Sequence, residues 1–163
     1  MKKLILLPAI LATLAITSAF PVAFATHSTP FNGSFSGSFI LTSTMPPKAT
    51  ITGTGNYEHL GLTTFVGKAT ATGMSECGGF TATEQETFTA ANGDKIFASA
   101  IDIACPTSNP NIIHVTASST ITGGTGRFAH ASGSFTTHVS ASEASPTATS
   151  GTISGTSTGT ITY

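Results

Sequence analysis

Two glutamates, Glu84 and Glu86, are the residues of this sequence whose type and spacing best suit chemistry. Both fall on the apolar phase of an alternating stretch, which also carries Phe80, Ala82 and Phe88. Burial among apolar residues raises the pKa of a carboxyl, and two neighbouring carboxylates resist ionising together. We therefore consider this pair a candidate catalytic general acid or base. The alternative is that a β-bulge reverses the phase, or that one glutamate lies in water at a rim.

A β-hairpin is predicted to carry both glutamates, with strands at residues 80–91 and 95–104 and a turn at Asn92 and Gly93. An Asn-Gly pair between two alternating runs is typical of a type I′ turn, in which both central residues need positive φ. A two-residue turn also sets the pairing of the strands. The predicted opposing pairs are Ala91 with Asp94, Phe88 with Phe97, Glu86 with Ser99, and Glu84 with Ile101.

This pairing gives the hairpin two unlike faces. Phe97 lies on the face of the glutamates, whereas Asp102 falls on the opposite, threonine-rich face together with Ile96, Ala98 and Ala100. The sequence therefore predicts two carboxylates among the apolar side chains.

Alternation with a period of two continues from Phe31 onward, and no window of helical length places apolar residues at i, i+3 and i+4. An even antiparallel meander can remove its exposed edges by closing on itself. We therefore expect an all-β fold, a single eight-stranded antiparallel up-and-down β-barrel, with a β-sandwich as the alternative. The predicted strands are residues 31–41, 49–59, 62–72, 80–91, 95–104, 112–122, 131–141 and 151–162.

The interior of an eight-stranded barrel is either filled by side chains or holds one small ligand. Four aromatic residues on the expected inner phase are candidate ligand-binding residues, namely Tyr57, Phe88, Phe97 and Tyr163. Glycines leave little side-chain volume on the second and eighth strands, which favours either a tightly coiled wall or a cavity. A small apolar molecule is the expected partner if a cavity exists.

Residues 1–25 resemble a secretory signal peptide, with Lys2 and Lys3, an apolar run over residues 4–16, and the small-residue ending at Ala25. We expect cleavage near Ala25 and a single mature domain over residues 26–163, secreted or periplasmic. No later apolar run approaches the roughly 18 residues of a membrane helix. No membrane span is therefore expected in the mature chain.

Cys77 and Cys105 are the two cysteines of the sequence, and they flank the same end of the predicted hairpin. In an exported chain, two cysteines pair by default. We predict a disulfide that closes a loop of about 29 residues, for which chain-entropy reasoning gives a stabilisation of roughly 3 to 4 kcal/mol. A reactive thiol pair is disfavoured because the spacing is not C-x-x-C.

The charge pattern excludes several functions. Without the leader, four Lys or Arg oppose seven Asp or Glu, with no basic patch, so nucleic-acid binding has no electrostatic basis. The histidines lack the spacing of metal ligands, and His114 and His138 fall on the outward phase. We expect no metal and no cofactor.

The segment Gly123-Gly124-Thr125-Gly126-Arg127-Phe128, followed by Ala131-Ser132-Gly133, resembles a hairpin motif of the dirigent and allene oxide cyclase superfamily, which includes bacterial secreted members. The motif covers about a dozen residues. The resemblance implies an eight-stranded antiparallel barrel with a central pocket and no metal or organic cofactor. It also implies an architectural role for Gly124, Gly126 and Arg127, and it leaves a homo-oligomer open.

Three functions are compatible with these features. The first is a secreted barrel that binds a small apolar molecule. The second is a cofactor-independent isomerase or cyclase resembling allene oxide cyclase, with Glu84 or Glu86 protonating the substrate or stabilising charge. The third is a structural or surface-contact protein that uses its threonine-rich outer face.

Overall fold

A computed structural model describes residues 27–145 and 147–163. The predicted leader, residues 1–25, lies outside the described residues. Nine strands and one short 3₁₀ helix make up the described chain. The strands are β1 (Ser28–Pro30), β2 (Gly33–Thr44), β3 (Pro47–Tyr57), β4 (Gly61–Met74), β5 (Phe80–Ala90), β6 (Lys95–Pro106), β7 (Ile112–Gly124), β8 (Ser132–Glu143) and β9 (Ser150–Thr162).

Strands β2 to β9 pair antiparallel in chain order, and β9 pairs with both β8 and β2, so the sheet closes. The three-residue β1 pairs with the last residues of β9, and Gly33–Ile40 of β2 pair with the preceding part of the same strand. Strand β1 therefore lies on the same side of β9 as β2. The prediction of an eight-stranded antiparallel up-and-down barrel is therefore confirmed, with β1 as an additional outer strand. A sandwich would have left two open edges on each sheet.

Aromatic rings occupy the space that glycines leave on neighbouring strands. A side chain at Gly53 would overlap the ring of Phe65, and one at Gly155 would overlap the ring of Phe35. These glycines therefore allow large inward rings to lie flat against the barrel wall. Part of the space expected as cavity from the glycine content is in fact filled by phenylalanine.

One end of the barrel is packed solid; we call it the closed end. Its core contains Phe31, Phe88, Ile96, Phe128 and Ile161, each at most 2% exposed. A 3₁₀ helix (Gly126–Phe128) lies at this end and places Phe128 into the core. The opposite end, called the open end, carries the loops after β2, β4, β6 and β8.

The predicted hairpin exists, but its pairing is shifted by one residue. Its turn has three residues, Ala91 to Gly93, since the N–H of Ala90 donates to the carbonyl of Asp94 at 2.9 Å. Gly93 has a φ of 88°, whereas Asn92 does not adopt a positive φ, so the turn is not type I′. The observed pairs are Phe88 with Ile96, Glu86 with Ala98, and Glu84 with Ala100.

The shift reverses every side chain of β6, because neighbouring residues of a strand point to opposite faces. Phe97, predicted to face inward, lies on the outer surface and is 37% exposed. Asp102, predicted to face outward, is 5% exposed and lies inside the barrel. Both predictions are wrong for the same reason, a turn that is one residue longer than expected.

The glycine-rich segment before β8 connects three turns of the closed end. Gly126 has a φ of 58°, and the N–H of Arg127 donates to Asp94 in the β5–β6 turn at 3.3 Å. The Arg127 guanidinium donates to the carbonyl of His59 in the β3–β4 turn. A side chain at Gly124 would overlap the carbonyl oxygen of Lys95. Gly124, Gly126 and Arg127, for which the resemblance implies an architectural role, thus lie in contacts between turns of the closed end.

Candidate functional site

A cavity of about 560 Å³ occupies the open half of the barrel. Its walls are mainly apolar and come from all eight barrel strands. Near the open end it is bordered by exposed residues such as Met74 and Phe80. Deeper in the barrel the wall residues are Phe35, Phe39, Ile51, Phe65, Val139 and Ile153. A volume of this size lies within the usual range of small-molecule sites.

Three carboxyl groups line the cavity where it meets the packed core: Glu84 and Glu86 on β5, and Asp102 on β6. Alternation along β5 brings both glutamates inward together with Phe88, which is already part of the core. We call these three residues the acidic cluster. It lies midway along the barrel, beneath the apolar walls and above the closed end.

Glu84 and Asp102 are joined by a side-chain hydrogen bond within the acidic cluster. Burial raises the pKa of Glu84 well above its ordinary value, and the charges of Glu86 and Asp102 raise it further. A hydrogen bond between Glu84 and Asp102 also favours the protonated form of Glu84. Burial raises the pKa of Asp102 to about 6, and the bond from Glu84 acts in the opposite direction. The pair therefore favours holding a proton over carrying two negative charges.

Glu86 is the third member, and burial raises its pKa to about 7. The neighbouring Ser119 hydroxyl favours the charged form, whereas the charge of Asp102 opposes it. No hydrogen bond of ordinary geometry reaches Glu86 Oε2, Asp102 Oδ1 or Ser119 Oγ within the described residues. Burial is the main reason why the carboxyls of Glu86 and Asp102 favour protonation.

Small residues around the acidic cluster provide the room that it occupies. Glu84 is flanked by Ala69 and Ala100 on the neighbouring strands, and Glu86 by Gly67 and Ala98. The Glu84 carboxyl lies over Gly67, where an added Cβ would overlap its Oε1 atom.

Hydroxyl groups form a second polar set across the barrel. Thr137, which lines the cavity, shares a hydrogen bond of 2.9 Å with Ser157, and Ser157 contacts the Tyr57 hydroxyl at 3.5 Å. Burial raises the pKa of Tyr57 to about 12, the bond to Ser157 lowers it, and the charge of Glu86 raises it. Tyr57 is therefore a neutral hydrogen-bonding group at physiological pH.

The four aromatic candidates do not line the cavity. Tyr57 and Phe88 are 3% and 2% exposed in the packed core beneath it. Phe97 lies on the outer surface, and Tyr163 is 40% exposed at the closed end against Phe128. The rings that do line the cavity include Phe35, Phe39 and Phe65.

Asp102 is the site residue that sequence reasoning missed. The available signal was its setting between alanines, since Ala98, Ala100 and Ala104 alternate with larger exposed residues on β6. Inward-facing positions of a barrel strand can hold small residues as well as large ones, because rings from neighbouring strands fill the space that small residues leave. A run of alternating alanines therefore also indicates the inner face.

The disulfide prediction is confirmed, since Cys77 and Cys105 are bonded. The bond joins the loop before β5 to the last residues of β6 at the open end. Gly78 and Gly79 of the same loop border the cavity. The covalent link therefore fixes part of the cavity entrance.

In residues 27–145 and 147–163, no three His, Cys, Asp or Glu side chains are arranged to hold a metal ion. His114 and His138 are exposed, and the Thr116 hydroxyl lies 3.4 Å from Nδ1 of His138. No helix in this part of the chain is long and apolar enough to cross a membrane.

Comparison of the sequence with protein-family models gives no matching family, and comparison with curated proteins gives no match either. The cavity, the acidic cluster and the disulfide are therefore the observations on which a functional argument can rest.

Proposed function

We propose that this protein binds one small, mostly apolar molecule in the open half of its barrel, outside the cytoplasm. The supporting observation is a 560 Å³ cavity with an apolar wall that reaches the surface at the open end. A barrel whose purpose is only structural gains stability by filling its interior, because empty apolar volume forfeits packing contacts. The retained cavity favours a role in binding.

The disulfide supports the extracytoplasmic location, because such bonds persist in oxidising compartments. The leader-like residues 1–25 are consistent with export. The barrel with an interior pocket also fits the proposed relation to the dirigent and allene oxide cyclase superfamily, whose members share that architecture.

Titration with N-phenyl-1-naphthylamine, an uncharged dye that fluoresces in apolar sites, tests this proposal. We expect saturable binding of one dye per barrel. Ala69→Phe places a ring in the cavity wall beside Glu84 and should reduce binding at least tenfold, whereas Thr64→Phe adds a ring on the outer face of the same strand and should not. Equal binding by both variants, or no saturable binding by the native protein, would contradict the proposal.

A second candidate function is proton-transfer catalysis in the same cavity, in the manner of a cofactor-independent isomerase or cyclase. It is favoured by the acidic cluster, because a carboxyl with a pKa of about 7 is suited to exchange protons at neutral pH. Glu86 would act as base when ionised, while the protonated Glu84 would donate.

The base-catalysed ring opening of 5-nitrobenzisoxazole tests this second function, because it needs only a desolvated carboxylate and gives a coloured product. We expect a rate above that of buffer, which rises with pH as Glu86 ionises and disappears in Glu86→Gln. Glu76→Gln removes an exposed glutamate and should retain the rate. A rate equal to that of buffer, or one insensitive to Glu86→Gln, would exclude this role for Glu86.

A further inference from the structure

Two carboxylate oxygens in the cavity lack any hydrogen-bond donor within the described residues. They are Glu86 Oε2 and Asp102 Oδ1. Asp102 is only 5% exposed. A buried acceptor without a donor costs about 1 to 3 kcal/mol, and more if it is charged. Both residues line the cavity, so a donor on a bound molecule can reach them.

The charges lining the cavity all have the same sign. Four of the lining residues are acidic, and among the described lining residues there is no Lys, Arg or His. The fourth acid, Glu143, lies at the end of β8 near the entrance, and the other three form the acidic cluster. A buried carboxylate is stable only when a cation or several donors compensate it. No cation among the described lining residues supplies that compensation.

The surroundings of the acidic cluster distinguish between kinds of cation. No set of three acids or histidines is arranged around a metal position in the described chain. A hydrated inorganic ion would also leave its outer shell against apolar walls formed by Phe35, Ile51 and Phe65. An organic ammonium group instead offers up to three N–H donors and carries an apolar body that those walls can cover.

Together these observations define the chemistry of the bound molecule. We propose that the ligand is a lipophilic amine, whose ammonium group lies among Glu84, Glu86 and Asp102 while its apolar body fills the cavity toward the open end. This inference rests on the proposed binding function, which it narrows to a class of ligand. The ammonium replaces the proton shared within the acidic cluster, so binding should release protons to the solvent.

Displacement of bound N-phenyl-1-naphthylamine at pH 7.5 tests the inference with three probes of equal chain length: n-octylamine, n-octanol and n-octanoate. Octylamine should displace the dye at a concentration about tenfold or more below that of octanol, equivalent to about 1.4 kcal/mol or more. Octanoate should be the weakest competitor, because it brings a like charge to the acidic cluster.

Variants separate the acidic cluster from general surface charge. Asp102→Asn should reduce the preference for octylamine over octanol at least fivefold, because it removes one of the charges that hold the ammonium group. Glu76→Gln, which removes an exposed glutamate in the β4–β5 loop, should retain the full preference. Calorimetry in buffers of different ionisation enthalpy should show proton release on octylamine binding and none with octanol.

The outcomes distinguish failure of the inference from failure of the binding function. Equal displacement by octylamine and octanol would overturn the amine inference and leave binding of apolar molecules standing. A preference that persists unchanged in Asp102→Asn would also overturn it, because Asp102 would then take no part in holding the ammonium group. Failure of the dye itself to bind the native protein would contradict the proposed function, and the amine inference with it.

Discussion

Glu84 and Asp102 lie diagonally across the β5–β6 pair: Glu84 pairs with Ala100, two residues before Asp102, and a hydrogen bond joins the two carboxyls. Diagonal neighbours of this kind approach within reach of each other's side chains. Asp102 is buried, and at high pH the fold must hold more negative charge in this small space. The barrel therefore carries a built-in dependence on pH.

Stability should fall as pH rises from 4.5 to 8. The folded pKa values of Asp102 and Glu86, about 6 and about 7, lie above their ordinary values of 3.8 and 4.5. Between its ordinary and its raised pKa, each carboxyl binds more protons in the folded state than in the unfolded state. The resulting stabilisation of the folded state is complete below the unfolded pKa and is lost as pH rises through the folded pKa. Urea unfolding should show a loss on the order of 5 kcal/mol.

Asp102→Asn should flatten this profile, because it keeps the shape of the side chain and removes its charge. The variant should be more stable than the native protein at pH 8 and similar to it at pH 4.5. The exposed Glu76→Gln serves as the matched control and should follow the native curve. A native protein that gains stability on going from pH 4.5 to 8 would contradict the assignment of the acidic cluster.

Gly67→Ala should displace the Glu84 carboxyl without unfolding the barrel. The added methyl group meets the far end of a flexible side chain, which can rotate away, so the loss of stability should be about 1 kcal/mol or less. The pH dependence of unfolding should become weaker, since Glu84 then leaves Asp102. Gly73→Ala on the same strand meets only an ordinary contact with the Thr81 hydroxyl, at 3.5 Å, and should keep the native pH profile.

Ile96 and Phe97 provide a direct test of the hairpin pairing. Ile96→Ser should cost about 3 kcal/mol or more, because it exchanges a fully buried side chain in the core for a polar one. Phe97→Ser should cost less than about 1 kcal/mol, since Phe97 lies on the outer surface. Thermal and urea unfolding would compare the two. The opposite order of losses would restore the pairing expected from a two-residue turn.

Removal of the disulfide should lower stability by roughly 3 to 4 kcal/mol, from the entropy of a closed loop of about 29 residues. The double variant Cys77→Ser with Cys105→Ser, compared with native protein by urea unfolding, gives this value. Because the bond lies at the cavity entrance, we also expect weaker dye binding in the double variant. Unchanged stability would show that the loop is equally restricted without the bond.

The eight strands of the barrel were predictable because alternation identifies each strand independently of its neighbours. Their closure followed from their even number and antiparallel order. The pairing of β5 with β6 was not, because Asn92 and Gly93 suit both a two-residue turn and a three-residue turn that ends in a left-handed glycine. Apolar residues on both phases of β6, such as Ile96 and Phe97, did not discriminate between the registers. For Glu84 and Glu86 the sequence left an inward and an outward position open; the structure has them inward, on the same face of β5 as Phe88.

In the part of the chain that the structure describes, the closed end is packed around Phe128, and the cavity reaches the surface at the open end. A molecule with one charged end and one oily end must then enter with the charged end leading, and it must reverse the same path to depart. Its tail, and not its head, would border the solvent near Met74 and Phe80. On withdrawal the tail would therefore leave the apolar walls first, and the headgroup would regain its hydration last.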